Sequence, residues 1–204
     1  MKKIGIIDYG SGNFTSVKNA FESILVETIT IKTVADVEAA THIVLPGVGT
    51  FAAAMRKINE MGIVDELYKQ IIANTKPFLG ICVGMQVLAD FGTEFERCAG
   101  LGWITGITDR VKTDCRLPHV GWNNLRIVDR GNPLLIGLDD QSDFYFVHSF
   151  HFTPIESRHI SAVCEYGTDI VAAVMKDNIY GVQFHPEKSQ KNGLRILKNF
   201  TKIS

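Results

Sequence analysis

Along the first hundred residues, two apolar rhythms alternate. Residues 4–8 are a short apolar run that predicts a buried strand ending in the loop Tyr9-Gly10-Ser11-Gly12-Asn13. Val17, Ala20, Phe21, Ile24 and Leu25 then fall at i, i+3, i+4, i+7 and i+8, one face of a helix. Residues 43–45 predict a second strand, closed by Pro46-Gly47-Val48-Gly49, and Val64, Leu67, Tyr68, Ile71 and Ile72 repeat the helical stripe. Residues 77–81 predict a third strand, leading into a helix over 84–89. Strands alternating with helices indicate a parallel sheet covered on both faces, whose working residues sit past the carboxyl ends of its strands.

After about residue 100 the pattern changes to short β-prone runs at 125–128, 144–147, 160–164, 170–175 and 179–184. A final amphipathic helix carries Leu194, Leu197 and Phe200. No repeat, low-complexity tract or linker interrupts the chain, so residues 1–204 are expected to form one domain. Apolar residues make up 46% of the chain, enough for a sizeable core. The net charge of −1 gives no reason to expect nucleic acid or an anionic membrane as partner. Cys82, Cys98, Cys115 and Cys164 form no CxxC pair or disulfide framework. With no secretory leader and no long apolar segment, the expectation is a cytoplasmic protein with reduced thiols.

The most informative segment is Gly80-Ile81-Cys82-Val83-Gly84, a glycine-flanked nucleophile between a strand and a helix. A turn of this kind presents the thiol at the sheet's edge, and a helix N-terminus there would favour the reactive thiolate. By itself, the pentapeptide also suits a buried structural cysteine between turn glycines. A cysteine nucleophile needs a base. His185 ends a strand and precedes Pro186-Glu187, so that the carboxylate can orient the imidazole as the third member of a triad. Alone, that segment would read as a turn with a surface ion pair. The oxyanion formed by thiolate attack needs donors. The candidates are the N–H of Val83 and the glycine-rich segment at Val48 and Gly49, which otherwise reads as an ordinary turn.

Two loops lead elsewhere only on a loose reading. Gly10-x-Gly12 lacks the third glycine of a dinucleotide fingerprint, and there is no P-loop lysine. His148 and His151 have the spacing of a ligand pair, but no Cys or carboxylate beside them completes a metal site. No metal and no cofactor are expected.

With these residues assembled, the sequence resembles the class I (triad) glutamine amidotransferases, and within them it is most similar to the glutaminase subunits of imidazole glycerol phosphate synthase. The resemblance covers nearly the whole chain. It runs through Asp8 to Asn13, Leu45 to Gly49, Gly80 to Gln86, Pro118-His119-Val120-Gly121-Trp122-Asn123, Phe146 to Ser149 and Gly181 to Ser189. It implies a flavodoxin-like α/β fold with a mixed, mostly parallel central sheet flanked by helices and a nucleophile elbow at Cys82. It also implies that Cys82 attacks the glutamine side-chain amide and forms a γ-glutamyl thioester. His185 would protonate the departing ammonia, and Glu187 would orient His185. Gly49, Gln86, Glu94, Ser149 and Phe150 match positions that hold glutamine. The segment 46–49 would complete the oxyanion hole by a peptide rearrangement promoted by the partner.

That partner, by the same resemblance, is a cyclase (β/α)8-barrel subunit (HisF-type) bound as a heterodimer, with Asn13, Trp122 and Lys188 near the interface. Ammonia would pass to it for histidine biosynthesis, with the purine intermediate AICAR as by-product. Val83, Val120 and Phe150 stand where leucine, methionine and tyrosine are commoner in that family. A paralogous glutaminase feeding a surface-sugar amidotransferase and a stand-alone cysteine amidohydrolase are the alternatives, with a non-catalytic binding subunit behind them. Gln86 and Glu94 favour an amino-acid substrate, and retention of all three triad residues weighs against a mere scaffold.

Overall fold

The computed structural model describes residues 2–204. The chain opens with β1 (Lys3–Ile7), α1 (Phe14–Ser23), β2 (Glu27–Ile31), α2 (Val34–Ala39) and β3 (His42–Leu45). It continues through α3 (Phe51–Glu60), α4 (Val64–Tyr68), β4 (Phe78–Ile81) and α5 (Val83–Gln86). The short strands β5 (Phe91–Gly92), β6 (Cys98–Ala99) and β7 (Gly106–Arg110) follow, then β8 (His119–Asn124), β9 (Arg126–Ile127), β10 (Asp143–His148) and β11 (Phe150–Pro154). The last elements are β12 (Ile160–Glu165), β13 (Asp169–Lys176), β14 (Ile179–Val182) and α6 (Gln190–Phe200).

Eight strands form the central sheet in the order β2-β1-β3-β4-β14-β13-β12-β9. The first five are mutually parallel, and β13, β12 and β9 add to the edge antiparallel. β1, β3, β4 and β14 are buried throughout except for Lys3, which is why they read as unbroken apolar runs rather than alternating ones. Chain direction across the sheet reverses between β1→β2 and β2→β3. Right-handed crossovers therefore put the first two helices on opposite faces. α1 packs with α6, and α2 with α4. On α6, the fully buried Ile196, Leu197 and Phe200 face the core, each contributing about 1.5–3 kcal/mol by burial. A single apolar cluster takes in residues from Ile4 to Phe200.

Outside the main sheet lie two smaller ones: a β8/β10 ribbon and a four-stranded sheet in the order β11-β7-β5-β6. In the ribbon, His119 faces His148 and Trp122 faces Tyr145 in register.

Several elements depart from the sequence expectation. Leu25 does not extend the α1 stripe: the helix ends at Ser23, and Leu25 has φ 59° and is exposed. The stripe at 64–72 is not one α-helix. α4 passes into a π-helical turn over Lys69–Ala73, which widens the repeat and leaves Tyr68 and Ile72 on the surface while Leu67 and Ile71 stay buried. The helix expected over 84–89 closes after Gln86, and the strand expected to reach Phe184 stops at Val182. α3 carried no expectation, although Phe51, Ala54, Met55 and Ile58 form its buried face.

Candidate active site

At the carboxyl ends of β1, β3, β4 and β14, four loops meet beside the point where strand order reverses, the place where open α/β sheets bind ligands. Cys82 forms the turn after β4. Its backbone sits at φ 54°, ψ −111°, a left-handed conformation that costs a side-chain-bearing residue about 1–3 kcal/mol. The flanking glycines make the turn possible. A Cβ on Gly84 would run into the Leu45 carbonyl oxygen, and one on Gly80 into the Gly84 carbonyl oxygen. The elbow thus needs both glycines for contact between β3, β4 and α5. α5 has only four residues, so the electrostatic help that a longer helix would give the thiolate is small here.

His185 follows β14, and its side chain is fully buried. Its backbone N–H donates to the Tyr145 carbonyl at 2.9 Å. Ser189 Oγ donates to the His185 carbonyl at 2.6 Å and accepts the Tyr145 N–H at 3.0 Å. This clamp fixes the turn to β10. His185 Nδ1 stands 2.8 Å from Glu187 Oε1, whose side chain is also fully buried. Nε2 is left without a hydrogen-bond partner of ordinary geometry. Burial alone would make the imidazole less basic. Attraction to Cys82 and then to Glu187 more than offsets this and raises its pKa to about 10. The group is therefore an imidazolium at neutral pH, charged by its neighbours and able to give up a proton.

Cys82 and His185 open into a cavity of about 310 Å³, the lower end of the range for small-molecule sites. Its walls also include Val48, Gly49, Val83, Gln86, Glu94, Ser149 and Phe150. All of the residues expected in the triad, the oxyanion hole and the glutamine pocket except Glu187 line it, and Glu187 lies behind His185. Gly49 has φ +99°, and a Cβ there would meet nothing within 4 Å, so its glycine serves the backbone conformation rather than space. Gln86 is turned inward: its amide nitrogen donates to the Phe150 carbonyl at 2.9 Å and to Gln183 Oε1 at 3.1 Å. Glu94 Oε2 accepts the N–H of Phe51 at 2.9 Å, which ties the pocket wall to the start of α3.

The residues expected at a partner surface divide. Trp122 is 46% exposed and Lys188 is exposed. Both pack on Tyr145, with the Lys188 ammonium 5.7 Å from its ring centroid and the Trp122 ring 6.2 Å away edge-on. Val120 extends this apolar face. Asn13 is instead buried at 3% exposure and donates to Glu187 Oε1 at 3.2 Å, behind the triad rather than on open surface. His148 and His151 do not converge. Nδ1 of His148 meets the Phe150 carbonyl and Nε2 meets His119, while His151 lines a separate cavity beside Asp109. Among the described residues no group of three or more His, Cys, Asp or Glu could hold a metal ion, and no helix is long and apolar enough to cross a membrane.

Sequence reasoning missed Tyr145, Ser189 and Gln183. Ser189 and Gln183 lie within the motif segment Gly181 to Ser189, while Tyr145, central to both the clamp and the exposed cluster, has no signal beyond its place in a β-prone run.

A family model for glutamine amidotransferase class-I matches residues 5–203. The imidazole glycerol phosphate synthase subunit HisH 1 of Campylobacter jejuni (strain RM1221) is 44% identical over 202 residues, covering 98% of this chain and 100% of that one. The HisH subunit of Geobacter sulfurreducens is 44% identical over 98% of both chains. Among solved structures, a glutamine amidotransferase crystal structure superposes with a TM-score of 0.75 at 20% identity, covering 98% of this chain and 97% of that one. PurLQS from Thermotoga maritima gives 0.73 at 18% identity, with 98% of each chain covered. At those identities the structures speak for the fold alone. The elbow, the cavity and the matched sequence lead to one assignment: this chain belongs to the class I glutamine amidotransferase family.

Proposed function

We propose that this chain is the glutaminase subunit of an imidazole glycerol phosphate synthase, hydrolysing glutamine and handing the ammonia to a cyclase (β/α)8-barrel partner as a heterodimer in the cytoplasm. The observation that carries the reading is a strained Cys82 elbow facing a Glu187-held imidazolium, in a chain 44% identical over nearly its full length to subunits of that synthase. The whole of residues 1–204 acts as one amidotransferase domain.

In the reaction, the Cys82 thiolate attacks the side-chain carbonyl carbon of glutamine. The resulting oxyanion lies between the N–H of Val83, which as the first residue of α5 has no carbonyl partner within the helix, and the peptide of Val48 and Gly49. His185 gives its proton to the amide nitrogen, the C–N bond breaks and ammonia leaves. A γ-glutamyl thioester remains on Sγ. Neutral His185 then takes a proton from water, whose oxygen attacks the thioester; glutamate leaves and the thiolate and imidazolium are restored. Glu187 stays ionised throughout and keeps Nδ1 protonated. Gln86, Glu94, Ser149 and Phe150 form the walls against which the amino-acid portion is held. Only protein groups and water are needed.

The face made by Val120, Trp122, Tyr145 and Lys188 suits the partner: apolar and aromatic with one cation, and adjoining the His185 turn through which ammonia would depart. Glutamate release is measured with and without a histidine-pathway barrel subunit carrying its nucleotide ligand. Strong stimulation is the expected result. Hydrolysis indifferent to that barrel moves the chain to another synthase, such as one building amidino groups on surface sugars, or to a stand-alone amidohydrolase.

A further inference from the structure

Gln183 lies between β14 and the catalytic histidine, is fully buried, and has no part in the mechanism above. Its amide nitrogen is 3.7 Å from Cys82 Sγ, within hydrogen-bonding range for sulfur. Which end of an amide faces a neighbour is ordinarily open to assignment, but here the surrounding groups decide it. The Phe150 carbonyl can only accept, so the Gln86 atom 2.9 Å from it is the NH2 nitrogen. That same nitrogen reaches Gln183 at 3.1 Å, so the Gln183 atom receiving it is Oε1. The nitrogen of Gln183 is therefore the end turned to Cys82.

A chain of hydrogen bonds runs back from Phe150 through His148 and His119 to Asn123. His148 Nδ1, 2.9 Å from the Phe150 carbonyl, must carry a proton. His148 Nε2 faces His119 Nδ1 at 3.1 Å, and His119 Nε2 faces the Asn123 amide nitrogen at 3.3 Å. One set of roles satisfies every member: Asn123 donates to His119, His119 to His148, and His148 to Phe150. Both histidines are then neutral with fixed tautomers. Burial, and next the proximity of His119, lowers the pKa of His148 to about 3, in keeping with a ring that stays uncharged. His119 is held further by stacking between Phe146 and Tyr166.

We propose that Gln183 is a further catalytic group, an N–H donor to the Cys82 sulfur that favours its thiolate form, oriented through Gln86 and the Phe150 carbonyl by the buried His119–His148 pair. A donor to the charged form of a group stabilises that form. It matters here because the four-residue α5 gives the thiolate little help. The proposal rests on Cys82 being the nucleophile. The other titratable groups that bear on Cys82 are His185, Tyr9, and His148 and Glu94 in the cavity wall. Of these only His185 is a cation at neutral pH, so Gln183 is the neutral donor that complements it.

The test is alkylation of Cys82 by iodoacetamide in the full chain, followed from pH 5 to 10 by mass spectrometry of the Cys82 peptide. Gln183→Met removes the donor at similar volume. Gln183→Ala leaves room for a water to satisfy Gln86 and serves should the first variant fail to give a cooperative melt. In the folded variant the half-maximum of the curve is expected to move up by about one pH unit and the high-pH plateau to stay unchanged. An unmoved half-maximum, with or without a lowered plateau, overturns the proposal. Because alkylation needs no glutamine, loss of the assigned glutaminase reading in the wild-type chain shows separately, in the hydrolysis assay.

Discussion

Asn13 and His185 share one oxygen: Glu187 Oε1 accepts from Asn13 Nδ2 at 3.2 Å and from His185 Nδ1 at 2.8 Å. The other carboxylate oxygen, Oε2, is buried without a partner. The carboxylate held against His185 is thus itself positioned by the loop after β1, a segment far away in sequence.

Removing the Asn13 amide should loosen Glu187 without removing any reacting atom. A hydrogen bond to a charged group is worth about 1.5–3 kcal/mol, and each 1.36 kcal/mol of barrier is tenfold in rate. Asn13→Ala is expected to lower kcat for glutamine hydrolysis about tenfold with KM little changed. Asn13→Asp, which sets a second carboxylate against Glu187, should cost more. Steady-state kinetics reads both, and an unchanged kcat in Asn13→Ala contradicts the positioning role.

His185 has a pKa of about 10 in the folded chain against 6.5 for an ordinary imidazole. A raised pKa means that the folded state holds the proton longer than the unfolded one. The stabilisation is whole below about pH 6.5 and is lost as pH rises through about 10. Thermal melts from pH 6 to 10.5 should show the wild type losing its advantage over His185→Asn as pH rises. Parallel curves for the two proteins would count against the buried ion pair.

Gly84 and Gly49 are needed for different reasons, and alanine separates them. At Gly84 the methyl group meets the Leu45 carbonyl, backbone that cannot move aside without shifting β3, so Gly84→Ala should lose about 3 kcal/mol of stability and the site with it. At Gly49 there is space, and only the φ of +99° opposes the change. Gly49→Ala should cost about 1–2 kcal/mol while lowering kcat, because it biases the peptide assigned to the oxyanion. Chemical denaturation with parallel kinetics distinguishes the two; equal stability losses would contradict this division.

The sequence made the doubly wound half of the fold legible because buried parallel strands are unbroken apolar runs. β1, β3, β4 and β14 fall within two residues of their expected bounds. The π turn at Lys69–Ala73 was hidden, since one inserted residue in the repeat changes which apolar positions face inward without changing composition. β10 was legible as the run at 144–147, but its pairing with β8 and the small sheet of β5, β6, β7 and β11 were hidden, because such pairings are set by partners distant in sequence. At the site, Cys82, His185 and Glu187 stood out because reactive side chains fall at fixed spacing around glycine and proline. Gln183, Ser189 and Tyr145 did not. Their roles are those of a buried amide, a hydroxyl clamp and a backbone carbonyl, which only the folded chain brings against the triad. Asn13 matches a position near the partner interface by resemblance, and nothing in its local sequence reveals its hydrogen bond to a residue 174 positions away.

The central claim is that Cys82 carries the γ-glutamyl group. Acid quenching during turnover of glutamine, followed by mass spectrometry of the Cys82 peptide, tests it directly. The expected result is a glutamyl adduct on Cys82 in the wild-type chain that disappears with continued hydrolysis, and no glutamate release from Cys82→Ala. Glutamate release from Cys82→Ala at the wild-type rate would contradict the assignment.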